Sequence, residues 1–254
     1  MPQTKYSIII PAYNESARIG VTLNRVLLFI EQQQWNAEVI VVNDGSRDDT
    51  PAIVRAYMEK SANLRLLENP GNRGKGYAVR NGMLHASGDI LLFSDADLSA
   101  PIEEATKLFA AIRNGADIAI GSRWLRRDTQ VRKQPLYRQL GSRGFNLALR
   151  TILRLPLKDT QCGFKAFTHS AAQMVFAPQK IERWGFDGEI LYLGRKFGLK
   201  IEEVPVLWSH SSGTRLHPWR DGIHMLADVI RVRRNSMAGG YKEAIRASRS
   251  STSR

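Results

Sequence analysis

AEVIVVNDGS, residues 37–46, is an apolar run that stops abruptly at turn residues, the pattern of a strand buried on both faces. Working outward, the same signature recurs. YSIIIPAY (6–13) reads as a buried strand stopped by Pro11, and LRLLEN (64–69) as a third, shorter one. DILLFSDAD (89–97) reads as a fourth, and DIAIGSR (117–123) as a further strand. Between them lie helical spacings. Ile19, Leu23, Val26, Leu27 and Ile30 share one face of residues 16–34, and DDTPAIVRAYMEK places Pro51 in the first turn of a helix. GKGYAVRNGMLHAS and residues 103–114 supply two more helices. Alternation of this kind predicts an α/β fold: a mostly parallel twisted sheet of Rossmann-like build with helices on both faces. In such sheets ligands bind at the carboxyl ends of the strands. PAYNE (11–15), NDGS (43–46) and SDAD (94–97) all fall at such ends and are expected to converge.

Composition bounds the rest. A chain of 254 residues with 43% hydrophobic and 24% charged residues can bury a single sizeable core. Its net charge of +13 is unusual and points to an anionic partner: phosphates, nucleic acid or an acidic membrane surface. The single cysteine, Cys162, excludes an internal disulfide and an all-cysteine metal cluster, and reads as a structural thiol. No stretch approaches the ~20 apolar residues that span a bilayer. MPQTKYSIIIP lacks the apolar core of a signal peptide, so the protein is expected to be soluble or bound to a membrane only at its surface.

The second half differs in character. Residues 123–165 hold eleven Lys and Arg against Asp128 and Asp159, about +9 of the total, among turn signals. WRDGIHMLADVIRVRR (219–234) predicts an amphipathic helix with Ile223, Leu226, Val229 and Ile230 roughly together, ending in Arg231, Arg233 and Arg234. Basic charge beside an apolar face suits an anionic membrane surface. Residues 235–254 are Ser- and Arg-rich and read as a disordered basic tail. The expected organisation is one domain over 1–234, with a donor half (1–122), an acceptor half (123–218) and the helix.

Two look-alike motifs fail on spacing. GNRGKGYA (71–78) lacks the G-x-x-x-x-G-K-[ST] order of a phosphate loop, and no G-x-G-x-x-G follows the first strand. The glycines instead let the backbone turn closely before a helix, with Arg73 and Lys75 near an anionic ligand. Asp95 and Asp97 alone could be a metal site or the polar end of a strand. Beside NDGS and PAYNE they suit a hard divalent cation, which takes one or two carboxylates with phosphate oxygens and water. A nucleic-acid-binding protein fits the charge, but no helix-turn-helix, zinc-finger or aromatic sheet motif accompanies it.

Together PAYNE, VVNDGS, NRGKG, SDADLS, GSR and DTQCGFK resemble the family 2 glycosyltransferases of the GT-A fold, over about Tyr6 to Arg234. DTQCGFKAF (159–167), RWGFDGEILYL (183–193) and SSGTRLHPW (211–219) resemble the polyprenyl-phosphate branch, most closely the dolichyl-phosphate β-glucosyltransferases. The resemblance implies that Pro11, Ala12, Tyr13 and Glu15 line the nucleotide pocket and that Asp44, with Gly45 and Ser46, meets the base. It implies that Asp95 and Asp97, flanking Ala96, hold Mg²⁺ or Mn²⁺ on the donor diphosphate, with Lys75 nearby. Arg123 would serve catalysis at the acceptor-phosphate site with Arg138 and Ser142, and Arg215 would sit on a closing loop. Asn43 departs from the family's frequent V-D-D-G-S.

The chemistry agrees. A lipid monophosphate has a second pKa of ~6 and is largely a dianion at neutral pH, so no side chain need deprotonate the nucleophile. What remains is to bring two anions together and neutralise the departing diphosphate. Asp187 and Glu189 are accordingly read as structural or loop-binding groups, and Arg183–Trp184 as packing. Lys165 is either a phosphate contact or a solvated charge, and His210, His217 and His224 lack metal-ligand spacing. The expected activity is inverting transfer of glucose from UDP-glucose to a polyprenyl monophosphate, by an enzyme peripheral to the cytoplasmic face of a membrane. The alternatives are mannose from GDP-mannose, or another acceptor.

Overall fold

The computed structural model describes residues 4–125, 130–132, 136–209 and 218–246. The N-terminal half follows the expected alternation: β1 (Lys5–Ala12), α1 (Ile19–Gln32), β2 (Asn36–Asn43), α2 (Thr50–Met58), β3 (Leu64–Glu68), α3 (Lys75–His85) and β4 (Ile90–Ser94). A 3₁₀ turn, α4 (Ala105–Arg113) and β5 (Ile118–Ser122) come next. β1 does not stop at Pro11. It continues alongside β2 to Ala12, beyond the last residue paired with β4, where a missing N–H is tolerated.

The C-terminal half contributes β6 (Gln130–Arg132), α5 (Leu136–Leu153), β7 (Phe164–Thr168), α6 (His169–Phe176), α7 (Phe186–Lys196), β8 (Ile201–Pro205), β9 (Trp208–Ser209) and α8 (Pro218–Met237). The main sheet runs β3-β2-β1-β4-β7-β5-β8, and β6 pairs with β9 apart from it. Among the described strands of the main sheet, β7 alone runs antiparallel, entering between β4 and β5. Alternate residues feed two cores. Ile8, Ile10, Val39, Val41 and Leu92 pack under α1 and α4, whereas Ile9, Ile40, Val42, Leu91 and Phe93 face α3, α6 and α7.

Three expectations are revised. The stretch read as turns holds the 18-residue α5, whose glycines obscured an inward row that includes Asn146, Leu149 and Leu153. In α8 the apolar residues do not share one face. Met225, Val229 and Val232 point inward, while Ile223, Leu226, Ile230 and Met237 are exposed. The segment from 235 is not a loose tail as far as residue 246, because Tyr241 is buried and Ile245 packs on the core.

Candidate active site at the carboxyl edge of the sheet

The turns after β1 and β2 are laced together. Asn14, in the left-handed region at φ 49°, donates its N–H to Ser46 Oγ, and its side-chain oxygen accepts from the Arg47 N–H at 2.7 Å. The N–H groups of Glu15 and Ser16 donate to Thr50 Oγ1 and Asp48 Oδ2. Burial alone would raise the Asp48 carboxyl, but hydrogen bonds from Thr50 and Ser16 hold it well below the usual range.

Asp44 draws in the glycine loop. Its buried carboxylate accepts from Asn69 Nδ2 (2.7 Å), the Arg73 N–H (3.1 Å) and the Gly74 N–H (2.7 Å). Gly45 makes the approach possible, since a Cβ there would lie 2.5 Å from the Gly71 carbonyl carbon. The residue expected to meet the base thus already fastens residues 69–74, and a base would contact a carboxylate with most of its acceptor capacity in use.

Past β4 the chain turns through Leu98 (φ 45°), with the Ser99 N–H on Asp97 Oδ1 at 2.9 Å. Asp95 and Asp97 keep 35% and 22% of their side-chain surface open to solvent. Lys75, from the first turn of α3, reaches Asp95 Oδ1 at 2.5 Å, and Arg18 Nη1 stands 4.0 Å from Asp97 Oδ2. Burial disfavours the Lys75 charge, yet the carboxylates of Asp95, Asp187 and Asp97 raise its pKa above the ordinary value. Beneath Asp95 runs DTQCGFK: the Asp95 N–H donates to the Gly163 carbonyl, and a Cβ on Gly163 would fall 2.1 Å from Asp95 Oδ2.

The part of this edge supplied by residues 123–187 is built from closed ion pairs. Arg123 donates to Asp159 from its backbone N–H (2.9 Å), Nε (2.7 Å) and Nη2 (2.8 Å), with Asp159 wholly buried. Lys165 is wholly buried too, bound to Asp187 and to the Cys162 carbonyl. Cys162 is a structural thiol, pushed up to about 12 chiefly by burial. The arrangement offers two open carboxylates beside two cations, backed by neutralised pairs.

Residues 7–176 match the family described as Glycosyl transferase family 2, about two thirds of the chain. The chain belongs to glycosyl transferase family 2. Among its relatives, the dolichyl-phosphate beta-glucosyltransferase of Dictyostelium discoideum is 37% identical over 248 residues, covering 93% of this chain and 76% of the relative. That of Homo sapiens is 32% identical over 254 residues, with 95% and 78% covered. The fold is shared with glucosyl-3-phosphoglycerate synthase from Mycobacterium tuberculosis, solved with Mn²⁺, UDP and glucosyl-3-phosphoglycerate. There the TM-score is 0.66 at 21% identity, over 90% of this chain and 78% of that one.

In this family 2 transferase, Asp44, Asp95, Asp97 and Lys75 come together as expected, with Glu15 joined to the cluster through Arg18 at 2.7 Å. Arg123 has a partner that the sequence does not announce. Two of its three guanidinium nitrogens are committed to Asp159, so a phosphate would compete for that fork. Lys165 is neither a phosphate contact nor solvated, because antiparallel β7 carries it into the sheet interior. The side chains of Arg138 and Ser142 in α5, and all of Arg215, His210 and His217, lie outside the described residues. Trp184 does more than pack: its ring centroid lies 5.3 Å from Lys75 Nζ, the group that reaches Asp95. More than a hundred residues separate this tryptophan from its lysine, so no local signal announces the contact.

Proposed function

We propose that this hexosyltransferase moves glucose from UDP-glucose to a polyprenyl monophosphate of the dolichyl type, with inversion at the anomeric carbon. The observation that carries the reading is the pair of part-exposed carboxylates, Asp95 and Asp97, beside Lys75 at the end of β4. The relatives' names supply the sugar and the lipid, and UDP appears with the fold neighbour.

Among the described residues no three His, Cys, Asp or Glu side chains form a metal cluster. Two carboxylates fit a Mg²⁺ or Mn²⁺ ion that completes its shell with donor phosphate oxygens and water. Asp95 and Asp97 would hold it, and when bound it supplies positive charge to the leaving diphosphate. Lys75 and Arg18 add fixed positive charge at the same place. The acceptor phosphate, already a dianion, attacks without a general base. Asp187 could not serve as one while paired with Lys165.

The lipid acceptor requires a membrane surface. No helix of the described residues is long and apolar enough to cross one. Ile223 (70% exposed), Ile230 (46%) and Met237 follow one another at seven-residue steps on α8, beside exposed Arg231 and Arg234. This face suits peripheral attachment to anionic lipid, at the cytoplasmic side in our reading.

Turnover measured with UDP-glucose and with GDP-mannose, each on a short-chain polyprenyl phosphate, tests the assignment. Glucosyl transfer alone is the expected result; mannosyl transfer, or transfer only to sugar acceptors, would replace it. Ile230→Glu should reduce co-flotation with anionic vesicles severalfold, and unchanged flotation would place the contact elsewhere.

A further inference from the structure

The turn that follows α8 carries a buried tyrosine whose hydroxyl leads, bond by bond, to the donor site. Tyr241 Oη donates to Glu189 Oε1 at 2.5 Å, deep between α7 and the C-terminal segment. The same carboxylate accepts the N–H groups of Lys180 (3.0 Å) and Ile181 (2.7 Å), which fixes the start of the loop 179–184. That loop lies across the glycine loop and the first turn of α3. Gln179 Nε2 donates to the Gly76 carbonyl, Tyr77 N–H donates to the Glu182 carbonyl, and the Glu182 carboxylate grips Arg73 at 2.6 Å. The fit is close: a Cβ on Gly74 or Gly76 would lie 2.6 Å or 2.7 Å from the carbonyl oxygens of Glu182 and Ile181. The loop ends at Trp184, under Lys75, and Lys75 reaches Asp95.

Helix α8 and the turn after it bear on this loop at both ends. Gly185 packs so tightly on Asp228 that a Cβ there would lie 2.5 Å from the Asp228 Cβ. Tyr241 braces the other end, through Glu189 and with its ring centroid 5.4 Å from Lys180 Nζ. A further contact of α8, the Tyr192 hydroxyl on Ser236 Oγ at 2.6 Å, touches α7 but not the loop. A buried carboxylate with three donors is a rigid anchor, because losing any one leaves a desolvated acceptor.

We infer that Tyr241 and Glu189 are positioning residues for the transfer reaction: they seat loop 179–184, which in turn sets Lys75 and Trp184 against Asp95. The seating of the C-terminal helix is thereby felt at the donor diphosphate. This inference rests on the glycosyltransferase reading for its kinetic consequence but not for its mechanical one, and the two are measured separately.

Hydrogen exchange is followed on the full chain, wild type and Tyr241→Phe, without substrates. The expected result is faster exchange at Lys180 and Ile181 and, decisively, at Arg73, Gly74 and Tyr77, with the β1 and β4 amides unchanged as a control for folding. Ser236→Ala, near the end of α8, should leave residues 73–77 at wild-type protection. Acceleration confined to 180–181 and the C-terminal segment would overturn the inference. In turnover, Tyr241→Phe should raise the KM for the nucleotide sugar about fivefold with the KM for the lipid phosphate unchanged. A purely structural role would lower the active fraction and leave both KM values alone, and that outcome also overturns it. Absence of wild-type transfer with any nucleotide sugar would count against the activity, while the exchange pattern would still decide the positioning claim.

Discussion

The two sides of the sheet edge use the same residue types to opposite ends. At the end of β4 Asp95 and Asp97 remain part-exposed, with Lys75 and Arg18 beside them. On the C-terminal side Asp159 and Asp187 are buried and matched with Arg123 and Lys165. A carboxylate that faces solvent can exchange its partner for an incoming cation, whereas one sealed in an ion pair is fixed scaffold. The difference teaches that exposure, more than identity, separates the carboxylates that can do chemistry from those that hold shape. It also bears on the +13 charge of the chain: Arg123 and Lys165 are already neutralised inside the fold, so neither contributes to the excess.

The comparison breaks first at Asp97. Asp97→Asn should lower turnover by on the order of 10³-fold or more, with an unchanged melting temperature, since an open carboxylate contributes little to folding. Sustained turnover after metal removal by a chelator would end the metal assignment. On the other side, Lys165→Met should destabilise the fold by about 3–5 kcal/mol in urea denaturation, because Asp187 is left buried and unpaired. Lys165→Met with Asp187→Leu should recover much of that loss. If the single variant is as stable as wild type, the pair is not scaffold.

Glu38 sharpens the contrast within the N-terminal half itself, at the opposite end of the strands. Burial would raise its carboxyl, but hydrogen bonds from Ser87, Ser7 and Arg65 hold it at about 2 against an ordinary 4.5. Because the folded pKa is the lower one, its contribution is complete above pH 4.5 and disappears as pH falls towards 2. That contribution is about 2–3 kcal/mol. Glu38→Gln should flatten this segment of the pH–stability curve, and an unaltered curve would assign acid unfolding to other groups.

Much of this was legible because local chemistry and global fold agree in the N-terminal half. Each apolar run bounded by turn residues became a strand, and the three polar ends met where parallel topology requires. Legibility fell where a residue's environment is made by distant segments. FKAFT carries a lysine among apolar neighbours, and nothing local reveals that Asp187, 22 residues on, waits to neutralise it inside the sheet. Tyr241 sits in a polar, basic stretch whose composition argues for disorder, yet one buried ring and one hydroxyl tie that stretch to the core. The divided face of α8 follows from packing on α5 and α7, which periodicity alone does not contain.

Gly163 has an implication for recombining such enzymes. Its bare α-carbon forms the floor on which Asp95 rests, and β7 is registered against β4 with Phe164 opposite Ser94. Sliding β7 by one residue would bring the side chain of Cys162 or Phe164 to that floor and evict the carboxylate. A chimera that takes its N-terminal half from one parent and its C-terminal half from another must therefore inherit β4 and the DTQCGF lead-in as a single cassette, since neither parent's half contains a complete seat for Asp95.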